Sequence, residues 1–398
     1  MPIYNYISRN KGQKKVTGIL FALDENNLAD KLAKSEQLLI SSKIQEISKA
    51  KATVSLKPDK VLNLTLNLAS FLKGGLPLVE SLSALMQDTT DEKISSIVVS
   101  LKDYVEAGGS FKDALGLHPK TFSKAYTAIV ASGERTGKLD DALEDVSNYL
   151  EWSLNLKAKI KELAAYPVII CIVMVGVVAV LVGWVLPKFE PMLAEMGTEL
   201  PLPTKIVLGV SHALTGYWYI FLGGIVGFIV GVKLLLKNSR VAFYFDKFKL
   251  HMPIFGKLNY KLCLSRFSHL MDICTSSGIS IGEALELGED LIGNKPLAQG
   301  VAATRKGVLA GGELALGLKI AKVFPAFMVR MVGVGERSGD LAKGFNTVSR
   351  FYDKEIPRVI QKVFTILEPL LIVVMGVVVG GIALSVFLPL LKMTENVG

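Results

Sequence analysis

Two short stretches hold the residue types that could do chemistry. "ASGERTGKLDDAL" runs from Ala131 to Leu143, and "GVGERSGDLAKGF" from Gly333 to Phe345. The first sets Glu134 and Arg135 between Gly133 and Gly137. The second sets Glu336 and Arg337 between Gly335 and Gly339, 202 positions on. A carboxylate beside a guanidinium could do acid–base work, but neither stretch brings a nucleophile–base pair or a metal cluster with it. A phosphate cradle of the P-loop kind needs GxxxxGK followed by Ser or Thr after a strand. Here Gly137-Lys138 is followed by Leu139, Ser132 stands where the first glycine belongs, and the second copy reads Gly339-Asp340. His118, His212, His251 and His269 are scattered without an HExxH, and Cys171, Cys263 and Cys274 form no CxxC. The expectation is a protein without enzymatic activity, cofactor or metal. The motif reads instead as a helix terminus. Gly137 and Gly339 can take the positive φ that closes one helix and lets the next begin. Thr136 and Ser338 can hydrogen-bond the local backbone there. Glu134, Arg135, Glu336 and Arg337 then either hold the corner or also present it to a partner.

The flanks are helical. "KLDDALEDVSNYL" puts Leu139, Leu143, Val146 and Leu150 on one face, and "DLAKGFNTVSRFY" does the same with Leu341, Phe345, Val348 and Tyr352. The fold class is mainly α, with soluble helical bundles. The first 55 residues differ. "IYNYIS" and "VTGILFAL" read as strands, "DENNLADKLAKSEQ" as a helix begun by Asp24, and "LLISSKI" as a third strand. Together they make a small α+β module.

Half of the 398 residues are hydrophobic and a fifth are charged, which points to segments buried in a bilayer. Three runs suffice to span it: Pro167 to Pro187, one centred on Tyr217 to Val232 that can extend back to an N-cap at Thr204, and Pro369 to Leu391. Basic residues cluster before the first span (Lys157, Lys159, Lys161), after the second (Lys233, Lys237, Arg240, Lys247, Lys249) and before the third (Lys354, Arg358, Lys362). The positive-inside rule places the amino terminus and both soluble regions in the cytoplasm. The net charge of +9 is spread along the chain and reads as membrane-adjacent charge, not as a nucleic-acid footprint. No span has an ionisable residue at its centre, which argues against a transporter or channel subunit, the alternative from another class. Glu368 sits at the mouth of the third span. "GGIVGFIVG" lines up Gly223, Gly227 and Gly231 on one face, consistent with close helix contact or with ordinary glycine use in membrane helices.

The chain is duplicated. Gly133 pairs with Gly335, Pro167 with Pro369 and Pro187 with Pro389 at an offset of 202, while "GGLPLVESL" from Gly74 matches "SGISIGEAL" from Ser277 at 203. One deleted residue before Phe324 reconciles the two. The expected organisation is an α+β module at 1–55, a first bundle at 56–165, a transmembrane helix at 166–187 and a short periplasmic loop at 188–213. A transmembrane helix at 214–236, a second bundle at 237–366, a third transmembrane helix at 367–391 and a tail at 392–398 complete it.

This pattern resembles the inner-membrane platform proteins of type IV pilus and type II secretion machines, the general secretion F / pilus assembly C family. The resemblance rests on the duplicated unit, "SGERTGKLDDAL", "GVGERSGDLAKGF", and "AAYPVII" and "LEPLLIVVMG", where Tyr166-Pro167 and Glu368-Pro369 lead into the first and third spans. It covers nearly the whole chain. It implies six-helix cytoplasmic bundles and no enzymatic activity. It further implies residence in the bacterial inner membrane as an oligomer, here a dimer. The implied partners are a hexameric assembly ATPase, pilins or pseudopilins, other inner-membrane assembly proteins and membrane lipid, and no nucleic acid. Asp340 stands where the first copy has Lys138, so the two copies are expected to meet different partners. Glu368 is expected to face a pilin's charged amino-terminal region.

Overall fold

Helix signals recur at nearly constant spacing along this chain, and the computed structural model follows them. It describes residues 3–10, 15–21, 25–34, 37–45, 55–185, 218–235, 238–253 and 255–396, with single positions 188, 209 and 216. Asp24, Thr204 and nearly all of the expected 188–213 loop lie outside the described residues.

Three strands, β1 (Ile3–Asn10), β2 (Lys15–Phe21) and β3 (Gln37–Gln45), form an antiparallel sheet in the order β2-β1-β3, with helix α1 (Glu25–Lys34) between β2 and β3 in sequence. Leu28 and Leu32 of α1 are buried against Tyr6 and Leu39. Strand alternation turns the neighbours Leu38 and Ile40 outward.

Six helices follow: α2 (Pro58–Lys73), α3 (Leu78–Asp88), α4 (Glu92–Glu106), α5 (Phe111–Gly116), α6 (Lys124–Thr136) and α7 (Leu139–Val180). Their starts are set by local chemistry. Pro58 opens α2, where its missing N–H is no loss. The side chains of Asp91, Ser110 and Ser123 accept backbone N–H groups at the starts of α4, α5 and α6. After α8 (Trp218–Leu235) and α9 (Ser239–His251) the series repeats as α10 (Phe255–Ser276), α11 (Ile281–Leu291), α12 (Lys295–Leu309), α13 (Leu314–Ile320), α14 (Ala326–Ser338) and α15 (Leu341–Asn396). Helices α3 and α11 stand 203 positions apart, whereas α6 and α14 stand 202 apart. The missing residue lies in the stretch from α13 to the start of α14. The backbone repeats too: Gly75 and Gly278, Gly108 and Gly311, and Gly137 and Gly339 all have positive φ.

Contacts divide the chain into two compact units. One comprises residues 1–156, 266–292 and 298–349; the other comprises 157–265, 293–297 and 350–398. The first unit holds the amino-terminal module and most of the soluble helices of both copies. Their cores are built from matching residues, Phe111, Leu115, Leu143 and Val146 in one and Leu314, Leu318, Phe345 and Val348 in the other, all at most 2 % exposed. Within this unit the copies touch. Ser132 Oγ donates to the Ser277 carbonyl at 2.7 Å, Ser277 Oγ donates to Asp145 at 2.8 Å, and Lys124 pairs with Asp290 at 2.8 Å. Trp152 stacks on His269 with ring centroids 3.8 Å apart.

The second unit has the opposite character. Among the described residues two helical stretches are long and apolar enough to cross a membrane, Leu139–Val185 and Leu341–Leu384. The first includes a π-helical turn at Leu181–Val185. Val168, Ile169, Ile172 and Val173 of α7, and Leu370, Ile372, Val373 and Val377 of α15, are exposed. An apolar surface of this extent requires apolar surroundings. Helix α7 runs unbroken past Pro167, and α15 runs unbroken past Pro369 and on to Asn396, through the expected tail. A proline removes one N–H and leaves the carbonyl four residues earlier without its partner, and a long apolar helix tolerates that loss. Residues 239–265 belong to the second unit.

Candidate functional site

The repeated motif sits where α6 meets α7 and where α14 meets α15. Gly137 and Gly339 are left-handed, with φ 71° and 74°. Behind them the Lys138 N–H donates to the Gly133 carbonyl at 2.9 Å, and the Asp340 N–H to that of Gly335 at 2.8 Å. Thr136 Oγ1 donates to the Ser132 carbonyl at 2.9 Å, and Ser338 Oγ to that of Gly335 at 3.2 Å. The leading glycines have a separate reason. A Cβ on Gly133 would fall 2.3 Å from the Ala142 methyl and 2.8 Å from the Lys138 carbonyl oxygen; one on Gly335 would fall 2.7 Å from that of Asp340. Only a bare backbone lets the two helices of each corner approach this closely.

The glutamates do not pair with the arginines beside them. The Glu134 carboxylate accepts the N–H of Phe111 at 2.6 Å and of Lys112 at 3.0 Å. Glu336 does the same for Leu314 at 2.5 Å and Ala315 at 2.9 Å. Each carboxylate thus closes the amino end of the short helix of its own copy, α5 or α13, where orphan donors and the helix dipole both favour negative charge. Arg135 and Arg337 remain exposed and, among the described residues, form no ion pair. They are matched cations on the surface of both corners.

Tyr166, Pro167, Glu368 and Pro369 meet in the second unit. The Tyr166 hydroxyl donates to Glu368 Oε1 at 3.3 Å, and the two residues are repeat equivalents. A cavity of about 340 Å³ opens here, with Tyr166, Gln361, Thr365 and Glu368 as its polar lining and Pro167, Phe364 and Leu367 among its apolar walls. A neighbouring cavity of about 440 Å³ shares Pro167, Phe364 and Leu367 and runs past Cys171 to Val175, lined by apolar side chains. This makes an apolar groove with one carboxylate at its polar end. The described residues contain no group of three or more His, Cys, Asp or Glu side chains able to hold a metal. Burial pushes the Cys274 thiol up to about 12, so it stays protonated and unreactive at neutral pH.

Sequence reasoning missed two features of this region. The acceptor role of Glu134 and Glu336 lies 21 to 23 residues from its donors. The exposed face of α9, described below, follows from tertiary exposure. Its only trace in the sequence is an aromatic spacing.

A duplicated helical unit, a glycine-bounded corner in each copy and two helices long and apolar enough to cross a membrane characterise this chain. Residues 64–187 and 267–389 each match the family described as "Type II secretion system (T2SS), protein F", and the chain belongs to that family. The two matches begin and end at the repeat spacing. Similar proteins include the type IV pilus assembly protein PilC of Myxococcus xanthus, 34% identical over 84% of this chain and 80% of its own length. The type IV pilus assembly protein TapC of Aeromonas hydrophila is 29% identical over 98% of this chain and 95% of its own. The type II secretion system protein F of Vibrio cholerae is 30% identical over 85% of this chain and 83% of its own.

Proposed function

We propose that this protein is the inner-membrane platform of a machine that assembles type IV pili or the related filament of type II secretion. In this reading it catalyses no reaction. It crosses the bacterial inner membrane three times, at 166–187, 214–236 and 367–391, with the amino-terminal module and both six-helix bundles in the cytoplasm. It works as a dimer. A hexameric assembly ATPase pushes on the bundles, with Arg135 and Arg337 of the two corners as candidate contacts. Other inner-membrane assembly proteins hold the complex together. Pilins or pseudopilins meet the membrane helices.

The observation that carries this reading is the groove of α7 and α15. An apolar trough with Glu368 at its polar end suits an apolar helix that begins with a positive charge, as a filament subunit arriving laterally from the bilayer would. In a strain deleted for the gene and complemented with Glu368→Ala, surface pili or exoprotein export is expected to fall at least tenfold, with the protein still present in the membrane. Unchanged output would remove Glu368 from the mechanism. A deletion that affects neither pili nor export would remove the platform reading itself.

A further inference from the structure

Helix α9 follows α8 after three residues, and its two sides differ sharply in burial. One side is fixed to the protein. Ala242 is buried, the Asp246 carboxylate accepts the Lys295 N–H at 3.2 Å, and the Asp246 carbonyl accepts Asn294 Nδ2 at 3.2 Å. The other side is bare. Val241, Tyr244 and Phe248, at i, i+3 and i+7, form one stripe with exposures of 37, 70 and 62%. Met252 and Phe255 continue the exposed apolar surface beyond the helix end. Lys247 lies on one flank of the stripe and is exposed, while Lys249 lies on the other, half-buried, over the Phe245 ring and paired with Asp246 at 3.3 Å.

A water-facing helix does not present aromatic residues at helical spacing between lysines, whereas a helix lying in the plane of a membrane surface does. Geometry leaves α9 little freedom to be elsewhere. Three intervening residues make four backbone steps that reach about 14 Å when extended, so its start stays within that distance of the end of α8. Lysines on a cytoplasmic surface find anionic headgroups there. We propose that α9 is an interfacial helix. Its Val241–Tyr244–Phe248 stripe inserts among the acyl chains, and Lys247 and Lys249 sit against anionic phospholipid headgroups. The proposal rests on reading α8 as a membrane span.

The test uses the full-length protein in nanodiscs of zwitterionic or anionic phospholipid. A fluorescent amino acid is encoded in place of Tyr244, Phe248 or, within α8, Val230. Quenching by nitroxide lipids is compared with quenching by aqueous iodide. At 244 and 248 the expected result is strong quenching by headgroup-proximal nitroxide, protection from iodide, and a stronger lipid signal in anionic discs. Lys247→Glu combined with Lys249→Glu is expected to abolish that anionic increment. Positions 244 and 248 open to iodide, or shielded from both quenchers as a protein partner would shield them, overturn the proposal when 230 is still quenched by lipid. If 230 also escapes the lipid quencher, the three-span reading fails and the proposal fails with it.

Discussion

Glu134 and Glu336 each satisfy two backbone donors that no helical carbonyl can reach, and they do so with a charge. Hydrogen bonds to charged groups are worth roughly 1.5–3 kcal/mol each where the donor would otherwise be stranded. Partial exposure of the carboxylates lowers that figure. Glu134→Ala is expected to destabilise the detergent-purified full chain by about 1–3 kcal/mol in denaturant unfolding, with Glu134→Gln milder. Arg135→Ala, which removes no ion pair among the described residues, should shift stability by no more than about 0.5 kcal/mol. The motif's two glycines are distinguishable by substitution. Gly137→Ala meets only the left-handed backbone penalty, about 1–2 kcal/mol. Gly133→Ala drives a methyl into the Lys138 carbonyl and should be the more damaging of the two in the same unfolding series. The second glycine of the motif was legible in the sequence, since a positive φ is a local property and glycine advertises it. The first was not, because its reason is the approach of another helix. The glutamate was legible as a helix-terminus charge, but its recipient helix lies too far back in the chain for spacing to name.

Among the elements, helices α6, α7 and α10 bring the two copies together through two half-buried carboxyls. Desolvation holds the Asp145 carboxyl above its ordinary range despite the hydrogen bond from Ser277. Desolvation likewise raises Asp272 despite the bond from Asn346, with Asp145 adding repulsion. The folded protein therefore holds these protons more tightly than the unfolded chain does. Their contribution to stability is fully present below the unfolded aspartate pKa of about 3.9 and is lost as pH rises through the higher folded values. Asp145→Asn together with Asp272→Asn should flatten the pH dependence of unfolding just above pH 4; an unaltered profile would show that these groups do not titrate as their burial implies. None of this contact was legible beforehand. The stripe Leu143, Val146, Phe345, Val348 marks which face of each helix is buried. A buried face does not say that Ser277 of one copy will reach Asp145 of the other. Pro167 and Pro369 were legible as entries to apolar runs, but not as interior positions of continuous helices. A proline reads locally as a break, yet inside a long apolar helix one missing hydrogen bond is not enough to stop it.

For the whole molecule, charge asymmetry and the repeat together predict one topology. Alkaline phosphatase fused within 188–213 should be active, and fused within 239–366 inactive; the reverse pattern would overturn the proposed orientation. The duplication was the most legible large-scale feature, because two copies of one fold keep their glycines at a fixed spacing even where other residues drift. The hydrogen bond between Tyr166 and Glu368 gives that duplication a further meaning. In a symmetric pair of identical units, a residue on the twofold axis meets only itself. Two tyrosines at that point could share a proton but offer no charge, and two glutamates would repel. Linking the units in one chain lifts the restriction, so one side can become a donor and its equivalent an acceptor. The pairing of Tyr166 with Glu368 is thus a heterodimer's chemistry, open to two copies that are encoded separately.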